Sequence, residues 1–171
     1  MHKTRFVIPG LAFNVIAERE GLGAPIFPQL AGFEQAEGPV AHEILVREAA
    51  GDDIATEGEL IWSGTLIDGL YAEISANGDR QQFRVPGKLS ITEEIGRAQT
   101  EVQVTASAEQ PFRSMAGAVL LDMALRGHGL MTIHSASLML PGRDELMLLF
   151  APSGFGKTTT SLALALGGYG H

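Results

Sequence analysis

The sequence contains no cysteine in 171 residues. Disulfides, a thiol nucleophile and thiolate metal sites are therefore excluded, and a reducing cytoplasm suits the chain. Positive charge is scarce: 12 Lys and Arg against 20 Asp and Glu give a net charge of −8 and a pI of about 5.0. That balance argues against a nucleic-acid backbone or an anionic membrane as the main partner. No run reaches the roughly 18 apolar residues needed to span a bilayer. Pro9, Gly10 and Asn14 interrupt the apolar start at Phe6-Val7-Ile8, so a secretory signal is not expected. The histidines at 2, 42, 128, 134 and 171 show no two- to four-residue spacing, which disfavours a compact metal site. Aromatics are few, with Trp62 the single tryptophan.

What is present is ordinary globular composition, 45% hydrophobic and 19% charged. The length favours one domain, with room for a small second one. Up to residue 110 the chain reads as short strands between turns. Candidates are 6–8, 11–16, 40–48, 59–63 and 101–105. Segment 21–39, rich in Gly and Pro, reads as an irregular loop. The clearest hairpin pairs 70–74 with 82–85 across Asn77-Gly78, where Asn-Gly suits the positive φ angles of a tight turn. From Pro111 the pattern changes. Residues 112–126 form an amphipathic helix with Met115, Val119, Leu120, Met123 and Leu125 on its apolar face and Gly127 as its stop. Segments 130–134 and 137–140 read as strand, and Pro141 to Asp144 as a turn. Residues 145–150, nearly all apolar, read as a strand buried on both faces. Residues 158–166 read as a helix ended by Gly167-Gly168. The expected organisation is a β-rich region at 1–110 followed by an incomplete nucleotide-binding domain at 111–171.

Residues 151–158, Ala-Pro-Ser-Gly-Phe-Gly-Lys-Thr, fit the phosphate-loop pattern, with Ala151 where Gly is commoner. Gly154 and Gly156 let successive N–H groups turn toward phosphate oxygens. The following helix adds the positive end of its dipole. Lys157 brings a full charge to the β- and γ-phosphates, and Thr158 offers a hydroxyl to Mg²⁺. A chance match in a chain this long has odds of about one in a hundred from average residue usage. The bland reading is a Gly-rich strand-to-helix turn without a ligand. The expected ligands are ATP and Mg²⁺. Their binding residues are Ala151, Pro152, Ser153, Gly154, Phe155, Gly156, Lys157, Thr158 and Thr159, with Thr158 on the metal.

From residue 111 onward the chain resembles the HPr kinase/phosphorylase family and the related serine and peptide kinases. The resemblance rests on the helix ending Leu125-Arg126-Gly127, the segment Ile133-His134-Ser135-Ala136, and the loop from Ser153-Gly154 to a helix closing on Gly168-Tyr169. It implies an α/β fold whose nucleotide-binding sheet is like that of phosphoenolpyruvate carboxykinase. It also implies transfer of the γ-phosphate to a serine hydroxyl of a protein, peptide or small molecule. His134 would lie near the phosphates as a catalytic residue; the alternative is a strand-end histidine satisfied by backbone. In that family a pair of aspartates follows the closing turn. Here the sequence stops at His171 without one, so it reads as a fragment. Asp144 and Glu145 precede the strand, at the end away from the loop.

Other candidates have plainer readings. Asp52-Asp53 suits a solvated turn, Glu93-Glu94 exposed charge, Trp62 the core, and His128 a turn. Gly167 to Gly170 follows a helix, so it is not a dinucleotide fingerprint. Two alternatives stand beside the kinase. One is an ABC-type ATPase, disfavoured because no aromatic lies between Phe112 and Phe150. The other is a non-catalytic nucleotide-binding or interaction module. Self-association into a homo-oligomer stays open.

Overall fold

The computed structural model describes residues 1–8, 11–22, 39–51, 54–66, 69–106, 108, 115–133, 135–140, 142–152 and 154–168. They form two compact units, Met1–Met131 and Thr132–His171.

The first unit is built on β1 (His2–Ile8), β2 (Leu11–Ala17), β3 (His42–Glu48), β4 (Glu59–Thr65), β5 (Tyr71–Asn77), β6 (Arg80–Val85), β7 (Leu89–Glu94), β8 (Gln99–Val104) and helix α1 (Met115–Arg126). The strands form one sheet in the order β1-β2-β3-β8-β7-β6-β5-β4. β4 to β8 run as an antiparallel meander, and β3 lies parallel to both β2 and β8. The expected hairpin forms as β5–β6, with Asn77 opposite Arg80 and Gly78 at φ 60°.

Period-two alternation puts Phe13, Val15, Ile44, Val46, Val102, Val104, Leu89, Ile91, Phe83 and Val85 into one buried cluster. Helix α1 covers that face. Its buried residues Ala116, Leu120, Met123 and Ala124 recur at helical spacing, and the helix packs against β7. Each large side chain buried there contributes roughly 1.5–3 kcal/mol. The opposite face is polar. Arg84 Nε donates to Glu73 Oε2 at 2.9 Å, and Gln82 Nε2 donates to the carbonyl of Ala55 at 3.2 Å.

The units divide after Met131, so α1, which buries its apolar face on the sheet, belongs to the first unit. Strand β7 was not anticipated. Its polar residues obscure the pattern, yet Leu89 through Glu93 are all buried, since the strand has neighbours on both sides. Trp62 is not core: it is 41% exposed on edge strand β4. Its ring lies over Gly64, where a Cβ would come within 2.8 Å of it. A register shift between Leu60 and Trp62 breaks the regularity of that edge, as sheet edges commonly require.

The second unit holds β9 (Ala136–Met139), β10 (Leu146–Leu149) and α2 (Lys157–Leu166). β9 and β10 pair antiparallel, and α2 lies against β9. Leu138 is fully buried. The expectation that residues 145–150 are buried on both faces is also corrected. Leu146, Leu148 and Phe150 are exposed while Met147 and Leu149 are half-buried, because the two-stranded sheet is covered by one helix among the described residues. Of the strand expected at 130–134, the described residues 130–133 form no strand. The chain is thus mixed α/β, with one large sheet and few helices. Among the described residues no helix is long and apolar enough to cross a membrane.

Candidate functional site

The candidate phosphate loop joins β10 to α2. Gly154 (φ 83°) and Gly156 (φ 79°) both adopt the left-handed conformation. A Cβ at either position would meet no atom within 4 Å, so backbone conformation, not crowding, calls for glycine. Gly156 is also the N-cap of α2 and offers no side-chain acceptor to the helix's first N–H groups. These donors, at the positive end of the helix, suit an anion.

Lys157 opens α2 and folds its side chain back over the loop. Nζ donates to the carbonyl of Ala151 at 2.6 Å and to that of Pro152 at 3.1 Å. Thr158 and Thr159 are exposed on the helix's first turn. The Thr158 carbonyl accepts from Ser161 Oγ at 2.9 Å. Phe155 stands at the crown of the loop, 76% exposed. The structure therefore brings Ala151, Pro152, Gly154, Phe155, Gly156, Lys157, Thr158 and Thr159 to one junction. Ser153 and His134 lie outside the described residues, as do Asp52 and Asp53.

These residues fit a nucleoside triphosphate: an uncapped helix N-terminus and an ammonium face one loop. They fit Mg²⁺ only in part. Among the described residues no group of three His, Asp or Glu is placed to hold a metal. Thr158 would share such an ion with phosphate oxygens. Glu145 sits beyond the far end of β10, where it pairs with Arg143 at 3.5 Å.

A second polar cluster, missed in the sequence, lies beneath the last turn of α1. In the sheet, Phe13 on β2 is opposite His42 on β3, and Thr100 on β8 is opposite both Ile44 and, on its other side, Glu93 of β7. His42 Nε2 is 2.8 Å from Thr100 Oγ1, and His42 Nδ1 is 3.2 Å from His128 Nε2. The Phe13 ring meets both imidazoles, centroids 5.8 Å and 6.4 Å away. Burial lowers the His42 pKa to about 4, and His128 pushes the same way. Glu93, expected as exposed charge, is 7% exposed. Its Oε1 has no hydrogen-bond partner among the described residues. Burial raises its pKa to about 7; Arg126 opposes the rise and Asp122 adds to it. Gly127 allows the close approach, since a Cβ there would lie 3.3 Å from Glu93 Oε1. One signal for His42 was available: it alternates with Ile44 and Val46, both fully buried.

A polar recess on the sheet's other face is lined by Arg80, Thr92, Glu94, Arg97, Gln99 and Glu101. Its arginines are already neutralised, Arg80 by Glu57 at 2.7 Å and Arg97 by Glu94 at 2.8 Å. In comparisons with known proteins, the chain matches no family model, no curated protein and no solved structure.

Proposed function

We propose that residues 132–171 are the ATP-binding part of a kinase of the HPr kinase type, acting on a serine hydroxyl of a protein, peptide or small molecule. One observation carries this reading: a strand, a loop with two left-handed glycines, and a helix opening on Lys157, whose ammonium is turned onto the loop's own carbonyls. An ammonium held by neutral carbonyls exchanges them readily for anionic oxygens, because charge-assisted bonds are roughly twice as strong. Lys157 would then lie against the β- and γ-phosphates while the first N–H groups of α2 hold their remaining oxygens. When bound, ATP would supply the transferable phosphoryl group and Mg²⁺ would neutralise its charge. Thr158 would offer its hydroxyl to that ion. This is binding and positioning, the larger part of phosphoryl-transfer catalysis.

A second reading is a nucleotide-binding module without transfer activity. It is favoured by the second unit's acidic side chains, Asp144 and Glu145, both lying ahead of β10, at the strand's end away from the loop. The deciding experiment is titration of the protein with ATP and Mg²⁺, followed by an assay for labelled γ-phosphate. Saturable binding with transfer to serine supports the kinase. Binding alone supports the module, and no binding removes both.

A further inference from the structure

We propose that Glu93 and the last turn of α1 form a proton-operated latch: the turn seats when the Glu93 carboxyl is protonated and loosens when it ionises. The inference is independent of the phosphate-loop reading.

The geometry is that of a carboxyl group held where a negative charge is least welcome. Glu93 lies on the core side of β7, beneath the C-terminal end of α1, with Oε1 unpartnered among the described residues. The C-terminal end of a helix carries the negative end of its dipole. The Leu125 and Arg126 carbonyls there already accept N–H groups of the turn. Oε1 has no donor beside it among the described residues, so a neutral carboxyl is tolerated while a carboxylate is repelled. Gly127 supplies the seat, for any larger residue would press on Oε1. The turn is closed by backbone bonds, His128 N–H and Leu130 N–H to the Leu125 carbonyl and Gly129 N–H to that of Arg126, and by the contact of His128 Nε2 with His42 Nδ1.

The groups facing Glu93 come from several elements. On α1, Asp122 and Arg126 form an ion pair with each other. On β8, Thr100 is opposite and already engaged with His42; on β6, Gln81 is opposite. His42 and His128 close the row beyond Thr100. Asp122 reinforces the proton on Glu93, and Arg126 is the one cation that opposes it. Ionisation thus unseats Gly127 and His128 together, and with them the segment up to Met131 that leads into the second unit.

The test is amide hydrogen exchange on the full chain at about pH 6 and about pH 8, corrected for the intrinsic pH dependence of exchange. Protection of residues 126–131 should fall roughly tenfold on raising the pH. In Glu93→Gln, which fixes the neutral form, it should stay constant. Constant protection in the wild type, or an equal fall in the variant, overturns the latch. Should the variant not fold, the carboxyl carbon of Glu93 in the wild type decides by NMR. A titration midpoint near 7 supports the proposal. A midpoint at the ordinary value of about 4.3 overturns it.

Discussion

Nδ1 of His42 lies 3.2 Å from Nε2 of His128, although the two residues are 86 apart in sequence. The contact ties the third strand of the sheet to the turn that ends helix α1. Its other nitrogen lies 2.8 Å from Thr100 Oγ1, and burial, seconded by His128, disfavours a second proton on the ring.

This arrangement gives stability a particular pH dependence. The His42 pKa is depressed in the folded state, to about 4 from 6.5. Its contribution is complete above 6.5 and is lost as pH falls toward 4. The Glu93 pKa is raised to about 7 from 4.5, so its contribution is complete below 4.5 and lost as pH rises through 7. The two slopes oppose each other between about pH 4.5 and 6.5 and largely cancel. In Glu93→Gln only the histidine slope survives. Urea unfolding of that variant should show stability rising from pH 4 to 6.5 by on the order of 3 kcal/mol. A wild-type profile as steep as the variant's would contradict this.

Lys157→Ala should weaken ATP binding by about 2–4 kcal/mol, or roughly 30- to 1000-fold, because a charge-assisted phosphate contact is lost. Folding should be little affected, as the side chain bonds only to carbonyls within its own loop. Calorimetric titration of both proteins with ATP and Mg²⁺ checks the first part, and far-ultraviolet circular dichroism the second.

Nucleotide that binds only the folded second unit should stabilise it by about 2.7 kcal/mol at a hundredfold excess over the dissociation constant. The melting temperature should rise with each increment of ATP and Mg²⁺. In Lys157→Ala the rise should be much smaller over the same range, below about 1 kcal/mol. A melting curve unmoved at millimolar nucleotide would remove the loop from consideration.

Leu120→Ala should destabilise the first unit by about 2–5 kcal/mol. Leu120 is fully buried between α1 and the sheet, and truncation leaves a cavity there. Chemical denaturation gives the loss directly. Nucleotide affinity should not change, because Leu120 belongs to the unit that lacks the loop.

The sequence by itself determined what depends on neighbours along the chain. Gly78 specified its hairpin, opening the turn between Asn77 and Arg80, because positive φ is readily adopted by glycine. The apolar spacing of α1 specified a helix, realised at Met115–Arg126. The strand, loop and helix around Lys157 were legible for the same reason, since the glycines and the helix start lie within a few residues. Tertiary structure decided the rest. Only the order of the sheet sets His42 beside Thr100 and puts β8 between β3 and β7. Only the landing of α1 on that sheet buries Glu93, which looks from its neighbour Glu94 like surface charge. Trp62 went the other way, left exposed because its strand is an edge. Burial belongs to a residue's place among distant strands, and hydrophobicity along the chain cannot specify which strands those will be.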